Sequence, residues 1–196
     1  MTPDEIEGTI ERLVALFERA GADDYIGEAV SQLDHALQAA ALAVDAGAAD
    51  EEVIAALLHD VGHLELAPDG ASMGGYGVAR HEHVGADRLA VLGFGPSVTE
   101  LVRAHVDAKR YLVASRADYA QRLSRASRKT LEHQGGAMTP DEAAAFEADP
   151  LLLARLRVRS WDEAAKDPDA AVPAFERYVP ILRAHLAAPA SAASGS

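Results

Sequence analysis

Apolar residues recur along nearly the whole chain at the three- and four-residue spacing of amphipathic helices, and no stretch alternates in the manner of a strand. This pattern predicts an all-α fold, a bundle of about eight or nine helices. The predicted helices cover residues 3–20, 29–46, 51–64, 78–93, 97–113, 117–133, 140–148, 150–166 and 172–187.

Two of these helices have a clear start in the sequence. Thr2 and Thr139 are each followed by proline and then, three residues after the threonine, by glutamate. Threonine at the N-cap, proline at the first helical position and glutamate at the third are favoured at helix N-termini. Glycines at positions 21, 47 and 93 are predicted to end three helices.

Length and composition narrow the class of protein. The 196 residues predict one domain over 1–187, with a small-residue tail at 188–196 predicted to be disordered. The chain has no cysteine, so disulfides, thiolate ligands and a cysteine nucleophile are excluded. The net charge of -13 disfavours nucleic acid as a partner, and no apolar stretch reaches the roughly 18 residues of a membrane span. We therefore predict a cytoplasmic protein, while the sequence gives no prediction of its oligomeric state.

The candidate chemistry lies in a series of histidines and aspartates. His59 and Asp60 close an apolar run, residues 53–58, that should be buried, and His35 and His105 also lie among apolar residues. A buried carboxylate or imidazole needs a partner, which is usually a metal ion or a closed hydrogen-bond network. With His81 and Asp162, the set exceeds what one tetrahedral ion requires. The sequence thus predicts a dinuclear metal site with nitrogen and oxygen ligands.

The order of these residues resembles the HD-domain superfamily. More narrowly, several segments together resemble the mixed-valent diiron oxygenases that cleave phosphonates, and this resemblance spans roughly residues 20–185. The segments are Tyr25-Ile26-Gly27-Glu28, His63 one turn after His59, His81 through Ala86, His105 through Leu112, Gln134-Gly135-Gly136 and Arg159 through Lys166.

That resemblance implies an Fe(II)/Fe(III) pair bridged by Asp60, with O2 as co-substrate. It places His35, His59 and Asp162 on one iron and His81 and His105 on the other, and it implies that Tyr25 caps the second iron until substrate displaces it. The substrate would be a small 1-hydroxyphosphonate, which is cleaved to a carboxylate and inorganic phosphate.

The substrate contacts are predicted partly from spacing. Lys109 lies one turn after His105 and Arg159 one turn before Asp162, so both cations can face a phosphonate at the metals. His63 faces the same way as His59, and Ser127 is a further candidate contact. The resemblance makes Glu28 the partner of a substrate ammonium. That points to 1-hydroxy-2-aminoethylphosphonate or its N-trimethyl analogue, with glycine or glycine betaine as product.

Other interpretations remain open from the sequence. The main alternative is an HD-type metal-dependent phosphohydrolase of a small phosphate ester or nucleotide, for which His35, His59, Asp60 and Asp162 suffice. A non-catalytic helical sensor is a third class, although no expected ligand is missing. His83 is a rival ligand to His81, whereas His133 and His185 are expected to be structural or exposed. The glycine-rich stretch at 67–77 is predicted to form a wall of the site.

Overall fold

The computed structural model describes residues 1–22, 25, 27–64 and 78–188. Helices account for all the regular structure in this part of the chain, which confirms the all-α prediction. They are α1 (Pro3–Ala20), α2 (Gln32–Asp45), α3 (Asp50–Leu58), α4 (Val61–Leu64), α5 (His81–Val91), α6 (Pro96–Ser115), α7 (Tyr119–Arg122), α8 (Arg125–His133), α9 (Pro140–Glu147), α10 (Leu152–Ala164), a 3-10 helix (Phe175–Tyr178) and α11 (Val179–Ala187).

The predicted helix starts and stops are largely those observed. Thr2 and Thr139 both form capping boxes with the glutamate three residues later. Gly47 and Gly93 follow α2 and α5 with φ of 66° and 98°, a left-handed conformation that costs glycine little and other residues more.

The core is built around α3. Every residue from Val53 to Leu58 is at most 2% exposed, because α2, α6, α10 and α11 all pack against this short helix. Such burial on all sides explains why the segment reads as a continuous apolar run rather than as an amphipathic stripe. The run ends at His59, so the first site residues emerge directly from the centre of the core.

Three predicted helices differ from those in the structure. The helix predicted at 51–64 breaks at His59 and Asp60, and α4 then packs against α5. Gly62 permits this contact, since a Cβ there would lie 2.1 Å from the carbonyl oxygen of His81. Ser124 separates α7 from α8 within the predicted helix 117–133, and the segment predicted at 172–187 becomes helical only at Phe175.

Some predictions are not tested by the structure. The glycine-rich stretch at 67–77 and the tail from 189 onward lie outside the described residues, although 188 is described. Among the helices that are described, none is both long and apolar enough to cross a bilayer. The single domain and the cytoplasmic location remain predictions.

Candidate metal centre

A first group of metal-binding side chains comprises His35, His59 and Asp162. Helices α2 and α10 carry His35 and Asp162, and His59 caps the C-terminus of α3. The two Nε2 atoms of the histidines are 3.0 Å apart. Asp162 Oδ1 lies 3.5 Å from His35 Nε2 and 3.7 Å from His59 Nε2, so three potential ligand atoms converge.

The second group comprises Asp60, His81 and His105. His81 begins α5, and His105 lies in the middle of α6. Their Nε2 atoms are 3.0 Å apart, and Asp60 Oδ1 lies 3.2 Å from the first and 3.4 Å from the second. All three residues are buried, like those of the first group.

Asp60 connects the two groups. While its Oδ1 faces His81 and His105, its Oδ2 lies 3.3 Å from His59 Nε2 and 3.7 Å from His35 Nε2. The two oxygens of one carboxylate therefore point to different histidine pairs. This is the arrangement that a carboxylate bridging two cations requires. We call the two groups together the histidine cluster.

The hydrogen bonds of the imidazoles indicate which ring nitrogen is available to bind a metal ion. His35, His59 and His105 place Nδ1 at 2.7 Å, 2.8 Å and 2.7 Å from the backbone oxygens of Ala165, Ala56 and Val102. A carbonyl only accepts, so Nδ1 carries a proton in all three rings, and Nε2 is the nitrogen left to bind a cation. Two Nε2 atoms that converge at 3.0 Å need a cation between them, either a proton or a metal ion. The donors fit two metal ions that accept nitrogen and oxygen ligands.

Charges in the histidine cluster shift several pKa values. Burial would raise the pKa of Asp60 and of Asp162, but His59 beside Asp60 and Arg159 beside Asp162 hold both well below their usual range. Burial opposes protonation of His59, yet the carboxylates of Asp60 and Asp162 raise its pKa well above the ordinary value. The site thus holds two carboxylate charges that attract cations.

Arg159 supports Asp162 from behind. Its Nη1 donates to Asp162 Oδ2 and its Nε donates to the hydroxyl oxygen of Tyr119 at 3.0 Å, with all three residues buried. The remaining nitrogen, Nη2, is buried without a hydrogen-bond partner among the described residues, and Arg159 lines the cavity. The predicted substrate contact therefore also orients a candidate ligand.

The histidine cluster opens into a cavity. Its other wall consists of polar side chains that we call the cationic wall: Glu28, Lys109, Ser127, Thr130 and Lys166. Lys109 Nζ donates to Thr130 Oγ1 at 3.0 Å. Burial and the nearby Arg159 lower the pKa of Lys109 to about 7, so an anion in the cavity would favour its charged form.

His63 faces the same cavity. Burial and the nearby His81 lower its pKa to about 3, which keeps the ring neutral. Its Nδ1 accepts a hydrogen bond from the backbone N–H of Val78 at 3.1 Å, so the proton of the neutral ring resides on Nε2. The ring also stacks on His81 with centroids 3.9 Å apart. His63 can thus donate to a bound oxygen.

Glu28 already has a cationic partner within the chain. Its Oε1 accepts from Lys166 Nζ at 2.8 Å and from Ser124 Oγ at 2.5 Å. Lys166 Nζ also donates to Ser127 Oγ at 3.1 Å and lies 5.8 Å from the ring centroid of Tyr25. An internal ammonium therefore occupies the space between the carboxylate and the aromatic ring.

Tyr25 lies over the first group. Its ring stacks on His35 with centroids 3.9 Å apart, and its hydroxyl interacts with Asp60. Burial, followed by the charges of Asp60 and Asp162, raises the pKa of Tyr25 well above its ordinary value. Tyr25 thus reaches the carboxylate that both groups share, from the side of the first group.

Two relatives whose names state an activity match most of the chain. A hydroxymethylphosphonate dioxygenase of Gimesia maris is 43% identical over 86% of this chain and 85% of its own length. A glycine-betaine-forming 1-hydroxy-2-(trimethylamino)ethylphosphonate dioxygenase of Leisingera caerulea is 40% identical over 89% of this chain and 88% of its own. The chain belongs to the phosphonate dioxygenase family. An uncharacterized protein of Acanthamoeba polyphaga mimivirus is also similar, 36% identical over 93% of this chain and 84% of its own length. No family model matches the chain.

The structure brings all the site residues that the sequence predicts to one place. It also adds Thr130 and Lys166, whose roles the sequence reasoning missed. Lys166 follows Asp162 by four residues, the same spacing that relates Lys109 to His105, so a signal existed. Thr130 offered no comparable signal, because a threonine in a polar helix is common.

The remaining histidines lie outside the two groups. His83 is 37% exposed in its side chain, and its Nδ1 lies 2.9 Å from Glu82 Oε1. His133 is exposed, whereas His185 Nε2 accepts from the backbone N–H of Gly95 at 3.2 Å. Of the two rival ligands, only His81 points toward Asp60.

Proposed function

We propose that this protein is an O2-dependent oxygenase that uses two iron ions, in a mixed-valent Fe(II)/Fe(III) state, to cleave the C–P bond of a 1-hydroxyphosphonate. The observation that carries the proposal is the shared carboxylate of Asp60, whose two oxygens face two histidine pairs beside a cationic wall. The names of the two described relatives support the reaction class. An HD-domain architecture, implied by the resemblance, is part of the same proposal.

The overall reaction balances with O2 alone as oxidant. The substrate carbon loses its bond to phosphorus and its hydrogen, and it becomes a carboxylate. Phosphorus leaves as inorganic phosphate, which gains one oxygen atom. Both atoms of O2 are thereby incorporated into the products, and one proton is released.

In this proposal, His35, His59 and Asp162 would hold one iron, His81 and His105 would hold the other, and Asp60 would serve both. When bound, the iron pair supplies the capacity to bind and reduce O2, which no side chain of the chain possesses. Tyr25, in contact with Asp60, closes the cavity side of the centre before substrate arrives.

The chain's own residues would bind and orient the phosphonate. Lys109, Lys166 and the buried Nη2 of Arg159 supply positive charge, and Ser127 and Thr130 supply hydroxyl donors. The Nε2–H of His63 adds a neutral donor. Hydrogen bonds between charged donors and phosphonate oxygens fix both the position and the orientation of the anion.

The pairing of Glu28 supports a substrate without a cationic group. An ammonium-bearing substrate would compete for Glu28 with Lys166, which is covalently part of the chain and 2.8 Å away. Tyr25 is the only described aromatic residue that lines the cavity apart from histidines, and Lys166 already lies near its ring. We therefore place hydroxymethylphosphonate ahead of the aminoethyl and trimethylammonium analogues as the preferred substrate.

The test is anaerobic purification and metal analysis, followed by exposure to O2 with each of these three hydroxyphosphonates. We expect two irons per chain and release of inorganic phosphate only when O2 is consumed. Phosphate released instead from phosphate esters, without O2 and with manganese or cobalt bound, would support the hydrolase alternative. A metal-free protein that cleaves nothing would support the non-catalytic class.

The variant Glu28→Gln tests whether Glu28 pairs only with Lys166 or also contacts a substrate ammonium. If Glu28 only pairs with Lys166, the variant loses kcat/KM to a similar extent for all three substrates. If it contacts a substrate ammonium, the loss is greater for the two cationic substrates than for hydroxymethylphosphonate. Glu132→Gln, on the exposed face of α8, is the matched control and should change none of these values.

A further inference from the structure

Glu82 and His83 extend the histidine cluster toward the surface. Among the four imidazoles of the cluster, His81 alone lacks a backbone acceptor for Nδ1, while His35, His59 and His105 each have one. His81 Nδ1 is buried without a hydrogen-bond partner in the described residues. One candidate ligand thus lacks the contact that fixes the others.

The position of His81 in its helix explains this difference. His59 and His105 donate to the carbonyl three residues earlier, which a preceding helical turn supplies. His81 is the first residue of α5, and Arg80 before it has a left-handed φ of 58°. No helical carbonyl therefore precedes His81 by three residues, and another acceptor is required.

The carboxylate of Glu82 is in a position to be that acceptor. Glu82 is 6% exposed, and its Oε2 is also buried without a partner in the described part of the chain. This oxygen lies 3.5 Å from His81 Nδ1, just beyond hydrogen-bond distance. Leaving a buried donor and a buried acceptor both unpaired is unfavourable, and more so if one of them is charged. A hydrogen bond between them would satisfy both atoms at once.

His83 holds Glu82 in place. Its Nδ1 lies 2.9 Å from Glu82 Oε1, and its side chain is 37% exposed, so the contact reaches solvent. On the other side of His81, the ring of His63 stacks at 3.9 Å and restricts rotation of the imidazole out of its plane. A chain of contacts therefore runs from the surface through Glu82 to the imidazole of His81.

We propose that Glu82 is a positioning residue, which accepts a hydrogen bond from His81 Nδ1 and makes the metal site of Asp60, His81 and His105 more electron-rich. The inference rests on the proposed metal centre. A histidine that donates to a carboxylate is a stronger base than one that donates to a carbonyl, and it stabilises a metal ion of higher charge. A ferric ion at the group of Asp60, His81 and His105 is therefore more stable with Glu82 than without it.

The experiment compares Glu82→Gln, Glu82→Ala and the wild type, each loaded anaerobically with Fe(II). Metal affinity is measured by competition with a chelator, and the midpoint potential of the iron pair by spectroelectrochemical titration. We expect one of the two irons to bind about 10- to 100-fold more weakly in Glu82→Ala, with a smaller loss in Glu82→Gln. Both variants should show a more positive potential, because the anion that stabilises the ferric ion is gone.

Two further variants keep the test decisive. Glu100→Gln makes the same chemical change on the surface of α6 and should leave affinity and potential unchanged. His83→Gln removes the anchor of Glu82 but is partly exposed, so it should fold and show a smaller change of the same sign. Circular dichroism of the metal-free proteins verifies that all variants retain helix.

The outcomes separate this inference from the proposed function. If the wild type binds two irons and releases phosphate, while Glu82→Gln, Glu82→Ala and His83→Gln keep the wild-type affinity and potential within about twofold, the positioning role is wrong and the proposed function stands. If the wild type itself binds no iron, the proposed function fails, and with it the inference.

Discussion

The histidine cluster and the cationic wall face each other across one cavity, but they are held in different ways. In the cluster, three of four imidazoles donate to backbone carbonyls at 2.7–2.8 Å. In the wall, polar side chains bond to one another: Lys166 to Glu28, and Lys109 to Thr130. The backbone fixes the side chains of the histidine cluster, whereas the side chains of the cationic wall form their hydrogen bonds with one another.

This difference matches the tasks of the two sides. Metal ligands must keep their geometry within a few tenths of an ångström, and backbone acceptors on packed helices provide that precision. Groups that bind a substrate anion must be satisfied when it is absent and released when it arrives. In the proposed function, Lys109 and Lys166 would exchange a hydroxyl or carboxylate partner for a phosphonate oxygen.

The largest expected effect comes from removing a ligand in the histidine cluster. His59→Ala should lose bound iron and most of the phosphate release. Loss of only a ligand's hydrogen-bond partner typically costs about 10- to 100-fold, and loss of the ligand itself should cost more. Its helical circular dichroism should remain, since α3 is packed on all sides. Iron analysis and phosphate release measure both effects together.

The matched control is His133→Ala, which removes an exposed histidine of α8. It should retain both irons and full activity. Unchanged iron content and activity in His59→Ala would contradict the distinction between a metal-binding side and a substrate-binding side.

A smaller but sharper effect is expected from Lys109→Met in the cationic wall. The variant should retain both irons yet lose about 10- to 100-fold in kcat/KM, since a hydrogen bond to a charged group contributes about 1.5–3 kcal/mol. Metal analysis beside steady-state kinetics separates this result from that of His59→Ala. Lys129→Met, an exposed lysine of α8, is the control.

The same variant should stabilise the metal-free fold. Burial lowers the pKa of Lys109 from 10.5 to about 7, so folding works against its protonated form. Replacement by methionine should therefore raise the free energy of unfolding by a few kcal/mol at pH 7, at about 1.4 kcal/mol per unit of pKa shift. This gain should shrink as the pH rises toward 10.5, which urea unfolding at pH 7 and pH 9 can measure. A gain that does not change with pH would contradict the buried-lysine explanation.

The two sides also differ in how far the sequence predicts them. His59 and Asp60 end a buried apolar run, and helical spacing places Lys109 and Arg159 one turn from predicted ligands. The resemblance to the diiron oxygenases supplied the prediction that these helices share one site. The break of the helix at His59 and Asp60 was not predicted, because it depends on the close packing of α4 against α5. The ion pair of Glu28 with Lys166 joins residues 138 positions apart, and no local pattern encodes such a contact.

The smallest expected effect concerns Ser124, at the border of the cationic wall. Its hydroxyl caps α8 by accepting from the N–H of Ser127 at 3.0 Å, and it also donates to Glu28. Ser124→Ala should cost about 0.5–2 kcal/mol of stability, as the loss of an N-cap usually does. Thr139→Ala removes the cap of α9, away from the cavity, and should cost a similar amount.

Only Ser124→Ala should alter substrate selection, because it also removes one of the two hydrogen bonds that Glu28 accepts, the one from the Ser124 hydroxyl. Freed of that contact, Glu28 and Lys166 can separate more readily, and kcat/KM for the aminoethyl substrate should rise relative to hydroxymethylphosphonate by a few-fold. Equal ratios in Ser124→Ala, Thr139→Ala and the wild type would mean that the serine stabilises α8 without tuning the wall. A shift confined to Ser124→Ala would show that the wall, unlike the histidine cluster, can change its partners at little cost to the fold.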